Sequence, residues 1–335
     1  MESRHQFIRY LVNRVAWTRK WFVYFINAIE SAKSQTNSEP LIEGIKDEEK
    51  FYSALFELDI ANRFIKSGFS IEFYPLIKTK KVPDLKITNP STNEIFYVEV
   101  TEQMQSIQAK EATETFDRIS HELLTLLHPS KRLICLGKIY KHLSEPHLQD
   151  VISKISETIE KCDKSGFEEF VEDSAVFAFA KEENRENLKM WGDAHNIHSH
   201  LEGPSYDVDE IYRLSSKIQK EQEQLPKDHM NILVIRDTTL LFVFQRNVEK
   251  IISRLEEHVY KHDHLAFCVV LATYNAADQE KIKIQGEHLY LHKTDDIVDR
   301  EIIFLTNRYI KDKQITPNSI SKIKHAFVEI KEFLL

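Results

Sequence analysis

Two carboxylates face each other across a predicted β-hairpin in the first third of the chain. The extended segments at 83–88 and 95–101 are joined by turn-forming residues at 89–93. A register centred on that turn places Asp84 directly opposite Glu99. Like charges at this spacing repel, and an oxygen-ligated cation such as Mg²⁺ between them is the natural remedy. The hairpin therefore predicts a site for a hard metal ion.

The same register divides the hairpin's side chains between two faces, because successive residues of a strand point in opposite directions. One face is apolar: Leu85, Ile87, Phe96, Val98 and Val100. The other face carries Asp84, Lys86, Tyr97, Glu99 and Thr101. We expect the apolar face to be core and the acidic face to be exposed.

A third acid, Glu57, lies in the predicted helix that precedes the hairpin. Apolar residues recur at helical spacing from about residue 48 to Lys66, and Gly68 supplies the stop. Much of the buried stripe is provided by Leu55, Ala61, Phe64 and Ile65. Glu57 reaches the same ion if this helix packs on the sheet, and a solvated helix surface is the alternative for Glu57 taken alone.

The order of these residues resembles that of the PD-(D/E)XK nuclease superfamily. The resemblance covers about residues 48–138 and is carried by a helix glutamate, a glycine, a Pro-Asp pair and an acid late in an apolar strand: Glu57, Gly68, Pro83, Asp84 and Glu99. It implies a restriction-endonuclease-like fold, an α/β mixed sheet flanked by helices, here with an N-terminal helical extension.

The resemblance also implies an activity, the metal-dependent hydrolysis of phosphodiester bonds, in DNA or else in RNA. Glu57, Asp84 and Glu99 would hold Mg²⁺ or Mn²⁺, which activates water for attack on phosphate. The family pattern places a lysine two residues after the second acid, but this chain has Thr101 there. Lys86 is the nearest substitute, and Thr101 would orient the water.

A basic run lies beside the Pro83-Asp84 pair on a chain that is acidic overall. Its members Lys78, Lys80 and Lys81, together with Lys86, are the residues we expect to meet nucleic-acid phosphates, in a salt-dependent manner. A solvated charge run is the alternative interpretation. Because the formal net charge is −8, nucleic-acid contact must come from such a local patch and not from the whole surface.

Composition excludes several other classes of protein. The chain has only 7 glycines in 335 residues, too dispersed for a dinucleotide-binding fingerprint, a phosphate loop or a nucleophile elbow. The three cysteines are widely spaced, which suits reduced thiols and offers no disulfide framework. Basic residues interrupt every apolar run near the amino terminus. We expect a cytoplasmic protein with no membrane association.

Alternating helical and strand patterns along the chain indicate the α/β class. We predict an amino-terminal helical extension over 1–45, whose final part from residue 31 is a linker. A nuclease-like core follows over 46–180, and a carboxy-terminal α/β half over 181–335 completes or extends its sheet. Within that half, 181–230 is polar with one helix near 211–225.

Three alternatives stay open. A module of the same fold without catalytic activity would bind nucleic acid or a protein partner and cleave nothing. A zinc enzyme would use Asp193, His195, His198 and His200, although a solvated loop accounts for that spacing as well. A homodimer is open too, because cutting both strands of a duplex usually needs two sites.

Overall fold

A computed structural model describes residues 16–77, 82–104, 106–127, 133–204, 209–239, 248–274, 281–285, 288–295, 298–311 and 315–329. Its helices and strands in chain order are α1 (Ala16–Lys33), α2 (Glu39–Lys46), α3 (Phe51–Lys66), β1 (Ser70–Phe73), β2 (Leu85–Thr88), β3 (Ile95–Gln103), α4 (Ile107–Leu126), β4 (Leu133–Ile139), α5 (Glu145–Ser165), β5 (Phe167–Val171), β6 (Ala175–Lys181), α6 (Arg185–His195), α7 (Glu210–Glu221), β7 (Met230–Asp237), α8 (Val248–Val259), β8 (Leu265–Tyr274), β9 (Lys281–Gln285), β10 (His288–Asp295), β11 (Val298–Thr306) and α9 (Pro317–Val328).

The chain divides into two units, and the first consists of residues 1–104 with 209–335. Its eight-stranded sheet has the order β1-β2-β3-β7-β8-β11-β10-β9. The ladders β3–β7 and β7–β8 are parallel and the others are antiparallel. The prediction of an α/β protein with a mixed sheet flanked by helices is confirmed.

Helices cover both faces of this sheet. On one face, α1, α2, α3 and α9 pack on side chains such as Leu85, Val98 and Phe304. On the other, α7 and α8 pack on a second cluster that includes Tyr97 and Leu233. Strands buried on both sides are typical of sheets with parallel crossovers.

The predicted hairpin register is confirmed, but the predicted exposure of its acidic face is wrong. Leu85 pairs with Val98, as the centred turn requires. Glu99 and Tyr97, however, are only 5 % and 8 % exposed. The reason is that α7, far away in the sequence, packs over that face, so the alternation of polar and apolar residues does not report exposure here.

Residues 105–208 form the second unit. Its three-stranded antiparallel sheet has the order β4-β6-β5. Apolar residues of α4 and α5 pack on one side of β6, and α6 packs on the other through Leu188 and Trp191. Gly137 of β4 lies under the ring of its partner Phe177, where a Cβ atom would come within 2.3 Å of the ring.

This division does not follow the predicted boundaries near residues 45 and 180. The carboxy-terminal strands do extend the sheet that β1 to β3 begin, and the second unit is inserted between β3 and α7. The expected linker at 31–47 contains α2, which Pro40 opens and which buries Leu41 and Ile45. The polar segment 181–230 contains α6 as well as the expected helix.

Parts of several predicted elements lie outside the described residues. They are the first fifteen residues of the amino-terminal helical extension and residues 78–81 of the basic run. Among the described helices, none is both long and apolar enough to cross a lipid bilayer.

A buried ion pair joins three helices of the first unit. Within α3, the Nε of Arg63 donates to Asp59 Oδ2 at 3.0 Å, and both side chains are almost completely buried. The Tyr24 hydroxyl of α1 donates to the other Asp59 oxygen at 3.2 Å. The Nη1 of Arg63 donates to the Ala326 carbonyl of α9 at 3.4 Å. This network holds α1 and α9 on the helix that carries Glu57.

We predict that Asp59→Ala lowers the free energy of unfolding by about 3–5 kcal/mol, because it leaves the guanidinium of Arg63 buried without its carboxylate. Denaturant unfolding followed by circular dichroism measures the loss. The control is Glu43→Ala, which breaks an exposed pair with Lys46 and should cost less than about 1 kcal/mol. Equal losses in the two variants would contradict a special role for the buried pair.

Candidate functional site

Asp84 lies where the β2–β3 ladder stops. Its Oδ2 accepts from the backbone N–H of Val100 at 2.7 Å, and its carbonyl accepts from the N–H of Tyr74 at 2.8 Å. The carboxylate thus accepts a hydrogen bond from β3 just beyond the last backbone pair of the β2–β3 ladder. This bond fixes the carboxylate at this end of the sheet.

Glu57 reaches this end of the sheet from α3. The Tyr74 hydroxyl donates to Glu57 Oε2. Tyr74 has φ of 45°, a left-handed conformation that is costly for a residue with a side chain and is often found at functional sites. Burial raises the pKa of Glu57 above its usual value, and burial together with Glu57 raises the pKa of the Tyr74 phenol. The phenol therefore stays protonated at neutral pH and is able to donate.

Glu99 is held from the opposite face of the sheet. Gln224 lies in a 3₁₀ turn, Gln222–Gln224, that directly follows α7. Its Nε2 donates to Glu99 Oε1 at 2.7 Å and to Glu221 Oε2 at 2.6 Å. One amide group therefore ties the β3 carboxylate to a carboxylate at the end of α7.

Electrostatics connect these groups into one site. The pKa of Asp84 is raised to about 8, first by burial and then by the charges of Glu57 and Glu221, while the bond from Val100 opposes the shift. Asp84 thus senses a carboxylate from each of two helices. We call Glu57, Asp84, Glu99 and Glu221 the acidic cluster. The three predicted acids are thus related to one another, and to a fourth, through the charges acting on Asp84 and the Gln224 amide.

Glu221, Gln224 and Tyr74 were not identified from the sequence. Glu221 and Gln224 lie more than a hundred residues after Glu99, in a segment whose composition is polar throughout. Tyr74 lies in a stretch that reads as ordinary strand. No local motif marks any of the three. The contact of Gln224 with Glu99 joins segments that are distant in the sequence, and that of Tyr74 with Glu57 accompanies a left-handed backbone conformation just after β1.

The positive groups of the site are placed differently from expectation. The Nζ of Lys86 lies 2.7 Å from Glu72 Oε2 on β1, a carboxylate outside the acidic cluster. Thr101 is half-buried in β3, opposite Ile235. The Nζ of Lys217 on α7 lies 3.0 Å from Glu221 Oε1. Lys78, Lys80 and Lys81 lie outside the described residues.

The donors of the acidic cluster are all oxygen atoms, which suits Mg²⁺ or Mn²⁺ and not a soft metal. Burial and then the charges of Glu57 and Glu221 raise the pKa of Asp84, and a bound cation would oppose both effects. In the part of the chain that the structure describes, no three His, Cys, Asp or Glu side chains lie close enough together to hold a metal ion. The acidic cluster therefore has the right kind of ligand atoms for a divalent cation, but its carboxylates do not lie close enough together in this structure to hold one.

The histidines considered for zinc turn to separate partners. His195 Nδ1 lies 2.9 Å from the Trp191 carbonyl, and His200 Nδ1 lies 3.1 Å from the Cys135 carbonyl. His198 Nε2 lies 3.2 Å from Asn196 Oδ1, and its Nδ1 is 3.9 Å from Asp193. Each ring therefore satisfies a local polar group, and the arrangement gives the zinc alternative no support.

In comparisons with known proteins, no family model, curated protein or solved structure matches the chain.

We predict that Asp84→Asn raises the thermal unfolding midpoint in EDTA, with a gain over the wild type that grows with pH. A carboxyl whose folded-state pKa is raised contributes stability at low pH that is lost as pH rises through the folded value, here about 8. The wild type should lose up to about 1.4 kcal/mol per pH unit between pH 5 and 8 relative to the variant. Asparagine still accepts from Val100 through Oδ1.

Scanning calorimetry at several pH values measures this difference, and Glu48→Gln, which removes an exposed acid, is the matched control. A variant whose advantage does not change with pH would show that Asp84 has an ordinary pKa.

Proposed function

We propose that this protein is a metal-dependent nuclease of the PD-(D/E)XK type, acting on DNA. One observation supports the proposal: the charges of Glu57 and Glu221 act on the buried Asp84, and the Gln224 amide joins Glu221 to Glu99, so a chain of interactions connects all three motif acids. This is the set of residues that the motif singles out. Ordinary surface acids would be solvated and separate.

The finer description of the fold that we propose is restriction-endonuclease-like. It is supported by the mixed sheet flanked by helices, with α3 followed by three antiparallel strands and then by a strand parallel to β3. Along the chain, the second unit is an insertion between β3 and α7 of this core.

Charge supports the first unit as the part that meets nucleic acid. Residues 105–208 contain 12 Lys and Arg against 19 Asp and Glu, so they account for −7 of the net charge of −8. The remaining residues are nearly neutral, and they include Lys78, Lys80 and Lys81, which shortly precede Asp84 in the sequence. These lysines are the proposed phosphate contacts, with an affinity that falls as salt rises.

In the proposed mechanism, Glu57, Asp84 and Glu99 would hold a Mg²⁺ or Mn²⁺ cofactor. When bound, such an ion lowers the pKa of water and stabilises charge on phosphate. The protein's own contribution is orientation: Tyr74 fixes Glu57, the Val100 amide fixes Asp84, and Gln224 fixes Glu99. Thr101, on the same face of β3 as Glu99, would orient the attacking water.

The second candidate is a nuclease-fold module that binds nucleic acid or a protein partner without cleavage. The observation that favours it is Thr101 in place of lysine, together with the lack of a converged set of three ligands among the described residues. We propose a cytoplasmic location for either function, because Cys135, Cys162 and Cys268 are free and buried. A homodimer remains part of the nuclease proposal, for cutting both strands.

We predict Mg²⁺- or Mn²⁺-dependent cleavage of at least one of four substrates: supercoiled plasmid, linear duplex, single-stranded DNA or RNA. EDTA should abolish the reaction. Glu99→Gln should slow it by about 100-fold or more, because it removes a charge that holds the metal against the reacting phosphate. Glu48→Gln, which removes an exposed acid that is not a member of the acidic cluster, should retain the wild-type rate.

Thermal unfolding with and without Mn²⁺ separates the two candidates. A working site should show a midpoint that rises with Mn²⁺ in the wild type and much less in Glu99→Gln. Salt-sensitive nucleic-acid binding with neither cleavage nor a Mn²⁺ shift would select the binding module.

A further inference from the structure

Position 101 lies on the face of β3 that α7 covers. Glu99 and Thr101 are two residues apart in one strand, so their side chains leave the sheet on the same side. Tyr97, two residues before Glu99 on that side, packs in a cluster with Ile211 and Leu214 of α7. A lysine at 101 would therefore extend toward α7. Threonine is shorter and carries no charge.

A lysine of α7 approaches this region from the other side. Lys217 precedes Glu221 by one helical turn, its side chain is 23 % exposed, and its Nζ lies 3.0 Å from Glu221 Oε1. Glu221 is bound by the same Gln224 amide that binds Glu99. Glu221 also acts electrostatically on Asp84. Glu221 thus connects the Lys217 ammonium to two of the motif acids: to Glu99 through the Gln224 amide, and to Asp84 through its charge.

Three other described cations are placed less favourably. Lys86 is paired with Glu72 on β1. Lys220 is 3.9 Å from Glu221, but its side chain is 73 % exposed. Arg236 is paired with Glu102 and lies over the Phe56 ring of α3. The side chain of Glu102 is on the opposite face of β3 from that of Glu99.

We propose that Lys217 supplies the site cation that the motif places at position 101. The inference rests on the proposed nuclease function. The ammonium would donate to a non-bridging oxygen of the scissile phosphate and stabilise the charge that develops there. No bond to lysine forms or breaks, and Glu221 holds the ammonium in position. The substrate class that this requires is an anionic phosphodiester.

The test compares Lys217→Gln, Lys217→Arg and Lys220→Gln with the wild type, in single-turnover cleavage at saturating DNA with Mn²⁺. Glutamine at 217 still donates to Glu221, so the change removes the charge and leaves the helix contact. We expect Lys217→Gln to cleave about 100-fold more slowly and Lys217→Arg to recover part of that loss. Lys220→Gln, which removes an equal charge three residues along the helix, should stay within twofold of the wild type.

A second readout separates chemistry from structure. Lys217→Gln should keep the wild-type unfolding midpoint and the wild-type rise in that midpoint with Mn²⁺. A variant that loses the Mn²⁺ response together with cleavage would overturn the proposal in favour of a structural role. Lys217→Gln with the same rate as Lys220→Gln would overturn it and leave the nuclease function standing. A wild type that cleaves no substrate with either metal would overturn both.

Discussion

The site depends on the parallel pairing of β3 with β7. This ladder joins the antiparallel strands β1 to β3 to the rest of the sheet, and it determines which helices cover the β3 side chains. A parallel pair needs a crossover connection, and here the crossover includes α7, which packs on the Glu99 face of β3. Without that pairing, Glu99 would be an exposed residue at the edge of a hairpin, as its alternating sequence suggests.

Burial of four carboxylates at one end of the sheet is unfavourable for folding. Each acid is held by at least one neutral or backbone donor, namely a phenol, an amide N–H or a glutamine side chain, and Glu221 is also paired with the Lys217 ammonium. These donors fix the positions of the oxygens, but burial and then the charges of Glu57 and Glu221 still raise the pKa of Asp84. Such local cost is typical of sites whose arrangement serves binding or catalysis and not stability.

Local features of this fold were predictable from the sequence, and contacts between distant segments were not. The turn at 89–93 and the period of two residues were sufficient for the hairpin register. Apolar spacing identified the helix that carries Glu57. Which face of the hairpin is buried depends on α7, and the boundaries of the inserted unit depend on which strands share a sheet. Neither the buried face nor the unit boundaries can be predicted from a short window of adjacent residues. For the same reason, Glu221 and Gln224 were not predicted as site residues.

The insertion between β3 and α7 also bears on how the chain folds. Glu99 and Leu233 are partners in the β3–β7 ladder, yet the whole second unit separates them along the chain. Loop-closure entropy grows only with the logarithm of length, so this detour costs little equilibrium stability. It does impose an order of events, because non-local parallel contacts form slowly while the antiparallel β4-β6-β5 sheet is built from nearby segments. During synthesis, β3 leaves the ribosome long before β7, so one edge of β3 is unpaired in the meantime. Charged residues on an unpaired edge disfavour pairing with other strands, and we expect the acidic residues of β3 to have this effect.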